Sequence, residues 1–257
     1  LNHVSGNTGG KLKKSSIPTE RKSREFIEGL LVALIAALII RQFIVQAYRI
    51  PTSSMEDTLL VGDFLLVNKY VYGMRTPDWI GIPYTDIGFS IPWVRIPGFK
   101  KPQQNDVVIF KYPLDPSLDY IKRCIATGGQ TVELRDKMTF VDGKRFPDAP
   151  HAKFADKNLI IGRNQGRFNF PTFENNRYGS RDNFGPLEIP EHKYFMMGDN
   201  RDRSSDSRVW GFVDFDHIVG EALIIYLSWD SRENFKFSDL FLFFRKIRFN
   251  RIADVIR

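Results

Sequence analysis

The hydrophobic pattern divides the chain near residue 50. Before it lies one long apolar run; after it, apolar residues come in short blocks separated by turn formers. Gly29 to Ile40 is twelve residues without a polar side chain, short of the ~20 that a helix needs to cross a bilayer. Phe26 and Ile27 before it, and Phe43, Ile44 and Val45 after it, extend the run, and Arg41 can carry its charge to an interface. Read as residues 26–48, the segment predicts one transmembrane helix with Tyr48 as an interfacial aromatic. A buried core helix and a cleavable leader compete with that reading, the second because Val45-Gln46-Ala47 has a small-x-small pattern.

Beyond residue 50 the blocks 64–67, 107–110, 131–134, 138–141, 194–197 and 222–226 are rich in β-formers, with Gly, Pro, Asp and Asn between them. Asp142-Gly143 is a hairpin signal, because both central residues of such a tight turn need positive φ. Residues ~50–230 therefore read as mostly antiparallel β. Two stretches read as insertions: 75–104, proline- and glycine-rich with two tryptophans, as a long loop, and 135–192, polar and aromatic, as a cap. The predicted organisation is a basic segment (1–25), a transmembrane helix (26–48), a β-rich core (49–134 and 193–230), a variable cap (135–192) and a basic aromatic tail (231–257).

Charge and composition change this picture in two places. The formal charge is +7, which suits nucleic acid or an anionic membrane surface. The basic residues gather in 11–24 and 245–257, both beside apolar sequence, which favours anionic lipid over a nucleic-acid groove. Six of them precede the apolar run and predict a cytoplasmic amino terminus, with the β-rich part on the other side of the membrane. The tail from Phe235 to Arg257 alternates aromatic and basic residues and suits either lipid contact or core packing with solvated charges. A single cysteine, Cys124, excludes an intramolecular disulfide, and four scattered histidines offer no ligand spacing, so no metal or cofactor is expected.

Three stretches carry candidate chemistry. Pro51-Thr-Ser-Ser-Met-Glu-Asp-Thr-Leu-Leu-Val-Gly-Asp63 puts hydroxyls just past the apolar run and leads into a strand. Asp119-Tyr-Ile-Lys-Arg-Cys-Ile-Ala126 flanks Lys122 with apolar residues; if buried, the amine falls below its ordinary ~10.4. A neutral amine can accept a serine proton where no histidine serves. Gly198–Gly211 is dense in Asp, Asn, Ser and Arg. A calcium loop there is excluded, because three arginines would repel the ion and no bidentate Glu closes it.

In this order the stretches resemble the type I signal peptidases (leader peptidases): Ser-Met then Thr-Leu at 54–59, Gly-Asp at 62–63, Asp-Val-Val-x-Phe-Lys-Tyr-Pro at 106–113, Asp-Tyr-Ile-Lys-Arg at 119–123 and Gly-Asp-Asn-Arg-Asp-x-Ser-x-Asp-Ser-Arg at 198–208. Five motifs in order are specific where one would be weak. The resemblance implies Ser54 as nucleophile and Lys122 as general base. It implies an oxyanion hole from the Thr52 hydroxyl and the Ser54 N–H. It also implies that Ser204 hydrogen-bonds the lysine amine and that Asp206 and Arg208 form a structural ion pair. The implied substrates are signal peptides of exported preproteins, cut after small-x-small sites at the bacterial cytoplasmic membrane. One departure is visible: the family usually has Pro where this chain has Asp57, which predicts a less rigid turn.

Two other readings use the same residues. A self-cleaving repressor or mutagenesis protein shares a Ser–Lys dyad and a β fold, but carries a DNA-binding domain or short soluble arm where this chain is hydrophobic. A membrane-tethered binding module without catalysis would keep Ser54 and Lys122 beyond hydrogen-bond reach.

Overall fold

The computed structural model describes residues 19–76, 79–81, 87–159, 180–230 and 246–257. The chain divides into two compact units, Leu1–Ile40 and Arg41–Arg257. Helix α1 (Thr19–Phe43) grows from the apolar run, and between Phe26 and Ile40 its large apolar side chains stay exposed, from 50% at Ile40 to 73% at Phe26. Among the described residues no helix is long and apolar enough to cross a membrane. The expected helix at 26–48 is corrected at its far end, because Val45–Arg49 is strand β1. The reason is local: β1 pairs antiparallel with β2 (Asp63–Asn68), from Val45 opposite Asn68 to Arg49 opposite Phe64. Tyr48 is partly buried against the β core.

All six predicted blocks lie in strands. The 75–104 stretch is less irregular than expected, since β3 (Trp79–Gly81) and β4 (Gly88–Ser90) pair within it and Arg75 bridges Arg95. Next come β5 (Val107–Tyr112) and the long β6 (Asp115–Thr127), then β7 (Thr131–Arg135), β8 (Met138–Val141) and β9 (Lys144–Arg145). The chain returns through β10 (Phe184–Glu188) and β11 (Lys193–Met197), turns through a short helix α2 (Ser207–Trp210), and closes with β12 (Val213–Asp214) and β13 (Ile218–Ser228). The main sheet runs β1-β2-β13-β5-β6-β11-β12, and a second runs β10-β7-β8-β9. The β8–β9 turn has φ +50° at Asp142 and +73° at Gly143, as the Asp-Gly pair predicts.

Strand β5 explains why its block reads as unbroken apolar sequence. Successive side chains leave a strand on opposite faces, and both faces here are covered. Val107 and Ile109 join Met55, Leu65 and Ile225; Val108 and Phe110 join Cys124, Met196 and Trp210. A third cluster joins Ile125 and Phe195 of the main sheet to Val132, Phe184 and Leu187 of the second. The predicted cap boundary at 135 therefore falls inside a sheet, with Arg135 the last residue of β7. Residues 160–179 of that stretch lie outside the described residues.

Of the tail, residues 246–257 are described, and they pack on the core. Trp229 bridges Ile247, Ile224 bridges Val255, and Ile256 joins the Met55 cluster. Arg251 donates to the buried Asp63 carboxylate at 2.7 Å and to the Thr58 carbonyl at 2.9 Å. Arg248 lies 3.6 Å from the same carboxylate. For these two arginines core packing prevails over a lipid-facing role. The aromatic residues at 235–244 lie outside the described residues.

Candidate active site

The turn carrying Ser54 is held from both sides. Behind it, the Ile50 N–H donates to Asp63 O at 2.9 Å and the Gly62 N–H to Ile50 O at 3.0 Å. Ahead of it, Met55 and Leu59 are fully buried, each contributing roughly 1.5–3 kcal/mol of burial free energy. From the far side comes the 198–200 segment, where the Asn200 N–H donates to Ser54 O at 3.1 Å and its side-chain amide donates to Ser53 O at 3.1 Å. Glycine is needed at 198, because a Cβ there would meet Ser204 Oγ at 2.2 Å and Ser54 O at 2.4 Å.

Lys122 stands on β6 opposite Val108 of β5. Both reactive groups are buried, Ser54 at 8% exposure and Lys122 at 4%. Lys122 Nζ donates to Ser54 Oγ at 2.7 Å and to its neighbour's carbonyl, Ile121 O, at 3.0 Å. Burial pushes the amine down to about 8, with Arg208 lowering it further and Asp206 and Asp199 pulling it partly back. Thr52 Oγ1 lies 3.4 Å from Ser54 Oγ. Among the described residues nothing accepts a hydrogen bond from the Ser54 backbone N–H. A cleft of about 400 Å³ opens here, lined by residues 51–54, residues 118–122, Arg203 and Ser205. Among the described residues no histidine lines it.

The remaining expected residues divide. Asp206 and Arg208 do pair: Arg208 Nε and Nη2 each reach a carboxylate oxygen of Asp206 at 2.8 Å. Burial alone would raise the Asp206 carboxyl. The Arg208 charge and hydrogen bonds, with the Gly198 N–H and Ser204, bring it below its ordinary value. Ser204 is a correction. Lys122 donates to Ser54 and Ile121, not to Ser204, whose buried Oγ meets no partner within hydrogen-bond geometry. It stands close enough to Asp206 to help keep that carboxylate ionised.

Asp57 stands where the family usually has Pro. Its φ is +76°, which a proline, locked near −65°, cannot adopt. Lys153 lies 3.1 Å from Glu56 and 3.6 Å from Asp57 on this turn.

Sequence reasoning missed the ion pair next door. Arg123, 1% exposed, meets Asp199 through Nε at 2.8 Å and Nη2 at 2.7 Å, and Thr58 Oγ1 donates to the same carboxylate at 2.6 Å. The available signal was the Lys-Arg dipeptide on a strand together with the Asp after Gly198; opposite-facing cations on one buried strand need separate partners.

A buried hydroxyl bonded to a depressed amine in an open cleft of a β fold is a serine-hydrolase arrangement. Residues 23–229 match the family model described as "Signal peptidase, peptidase S26". The chain is 33% identical over 231 residues to signal peptidase I of Pseudomonas aeruginosa, covering 80% of this chain and 72% of that one. To signal peptidase I of Aquifex aeolicus it is 34% identical over 244 residues, covering 80% and 84%. A solved signal peptidase I from Enterococcus faecalis is 30% identical, with a TM-score of 0.35 over 48% of this chain and 97% of that one. The chain belongs to the peptidase S26 family of signal peptidases: it is a serine peptidase that removes signal peptides.

Proposed function

We propose that this chain is a membrane-bound endopeptidase that cuts N-terminal signal peptides from exported preproteins after small-x-small sites, with Ser54 as nucleophile and Lys122 as general base. The 2.7 Å contact between Lys122 Nζ and Ser54 Oγ carries the reading. At an ordinary pKa, about three lysines in ten thousand would be neutral at pH 7; at about 8, roughly a tenth are. That supplies a usable base.

The neutral amine takes the Ser54 proton as Oγ adds to the scissile carbonyl. The oxyanion accepts hydrogen bonds from the Ser54 N–H and the Thr52 hydroxyl. The Lys122 ammonium then gives its proton to the departing amine, leaving an acyl ester on Ser54. Water, deprotonated by Lys122, hydrolyses that ester and restores both groups. The Asp206–Arg208 pair supports the Gly198 backbone beside the nucleophile, and Ser204 fills the space between them.

Attachment to the bacterial cytoplasmic membrane is proposed through α1. Its apolar side chains are exposed from Phe26 to Ile40, and a helix apolar all round needs a protein core or a lipid phase. On this reading the basic flank at 11–24 lies on the cytoplasmic side, where anionic lipid is its partner, and the cleft lies on the outer side.

The test is cleavage of a preprotein by detergent-solubilised protein. Ser54→Ala should lose all activity while Ser53→Ala keeps a measurable rate. Full activity in Ser54→Ala would contradict the assignment.

A further inference from the structure

Between Gly198 and Arg208 the chain is buried except at Arg203 and Ser205, so that from Asp202 to Asp206 it alternates between core and solvent. Asp202, Ser204 and Asp206 are buried at 8%, 2% and 0% exposure, while Arg203 and Ser205 face outward and line the Ser54 cleft. The inward acids are taken. Lys137 lies 3.0 Å and Arg181 3.2 Å from Asp202, and Arg208 holds Asp206 at 2.8 Å. Arg203 is different. Among the described residues its guanidinium makes no hydrogen bond or ion pair. Asp156 is near enough to feel its charge, but that carboxylate is engaged by Arg181 at 2.7 Å. The acid on the cleft wall, Asp119, is offset by Lys111 at 3.0 Å. Among the described residues, the charge left uncompensated at the cleft is therefore positive.

We propose that Arg203 is a specificity-determining residue whose guanidinium receives a carboxylate side chain of the peptide near the scissile bond. Preproteins with Asp or Glu beside the cut are the preferred substrates. A guanidinium presents a planar fork of donors that matches a carboxylate, and an unpaired one forfeits nothing to engage it. The inference rests on the reading of Ser54 as the nucleophile of this cleft. Because Arg203 is exposed, the preference is modest, about two- to fivefold in kcat/KM.

The test uses peptide pairs differing only by Glu against Gln, placed in turn at each position flanking the cut that the small-x-small rule leaves free. At low salt the Glu peptide of at least one pair should be cut about two- to fivefold faster. Added salt should bring that ratio towards one through screening. In Arg203→Gln the ratio should fall to one, and in Arg203→Glu below one. Equal rates at every position, or a preference retained in Arg203→Gln, would overturn the proposal. If the parent protein cuts no peptide of either kind, the reading of the cleft fails, and this inference with it. Cleavage without charge preference would leave that reading standing and sink only the role of Arg203.

Discussion

Lys122 and Arg123 are neighbours on β6, both cationic and both buried, and the fold treats them in opposite ways. Arg123 receives a two-pronged carboxylate from Asp199 and a carbonyl from Asn105 at 2.8 Å. Lys122, one residue earlier and on the other face, receives a hydroxyl and a carbonyl and no carboxylate. The carboxylates that reach it through space, Asp206 and Asp199, are already bonded to Arg208 and Arg123. A guanidinium cannot give up its proton, so burying one demands a partner. An amine can, and its cheapest response to a dry site is to become neutral. On the proposed mechanism, reactivity comes from withholding a counter-ion at one position while supplying it at the next.

The strongest way to break this comparison is to replace the amine. Lys122→Met keeps volume and removes the buried charge. Activity should fall on the order of 10²–10⁴, while thermal stability holds or rises because no partner is left unpaired. A large fall in melting temperature would mean that Lys122 is structural. Asp199→Asn is the converse. It leaves Arg123 buried without its counter-charge and should cost roughly 3–5 kcal/mol in denaturant unfolding. A loss below about 1 kcal/mol would show that the two cations are not treated differently. Thr52→Val sharpens the site itself. If the hydroxyl meets an oxygen that becomes negative only in the transition state, kcat should drop about 10²-fold with KM little changed. A pure KM effect would make Thr52 a substrate-positioning residue.

Much of the strand content was legible, because β-formers in short blocks between turn residues leave few alternatives, and Asp142-Gly143 announced its own turn. The site was legible only through motif resemblance: nothing in the 68 positions separating Ser54 from Lys122 says that they meet. What escaped depended on tertiary choices. The switch from α1 to β1 is decided by pairing with β2, and the same apolar letters suit either element. Whether Arg251 faces lipid or Asp63 depends on where the tail lands. Asp57 takes a left-handed φ that its letter permits but does not announce. Ser204 stands beside Gly198 and Asp206, and its hydroxyl makes no hydrogen bond with the Lys122 amine.

The central claim is that Lys122 works as a neutral base, and the pH dependence of kcat/KM tests it most directly. A base must be unprotonated to act, so with a peptide free of titrating groups the rate should climb with pH through about 8 and then level off. A profile flat between about pH 6 and 10, or one whose rise waits for the ordinary lysine value near 10.4, would contradict the account.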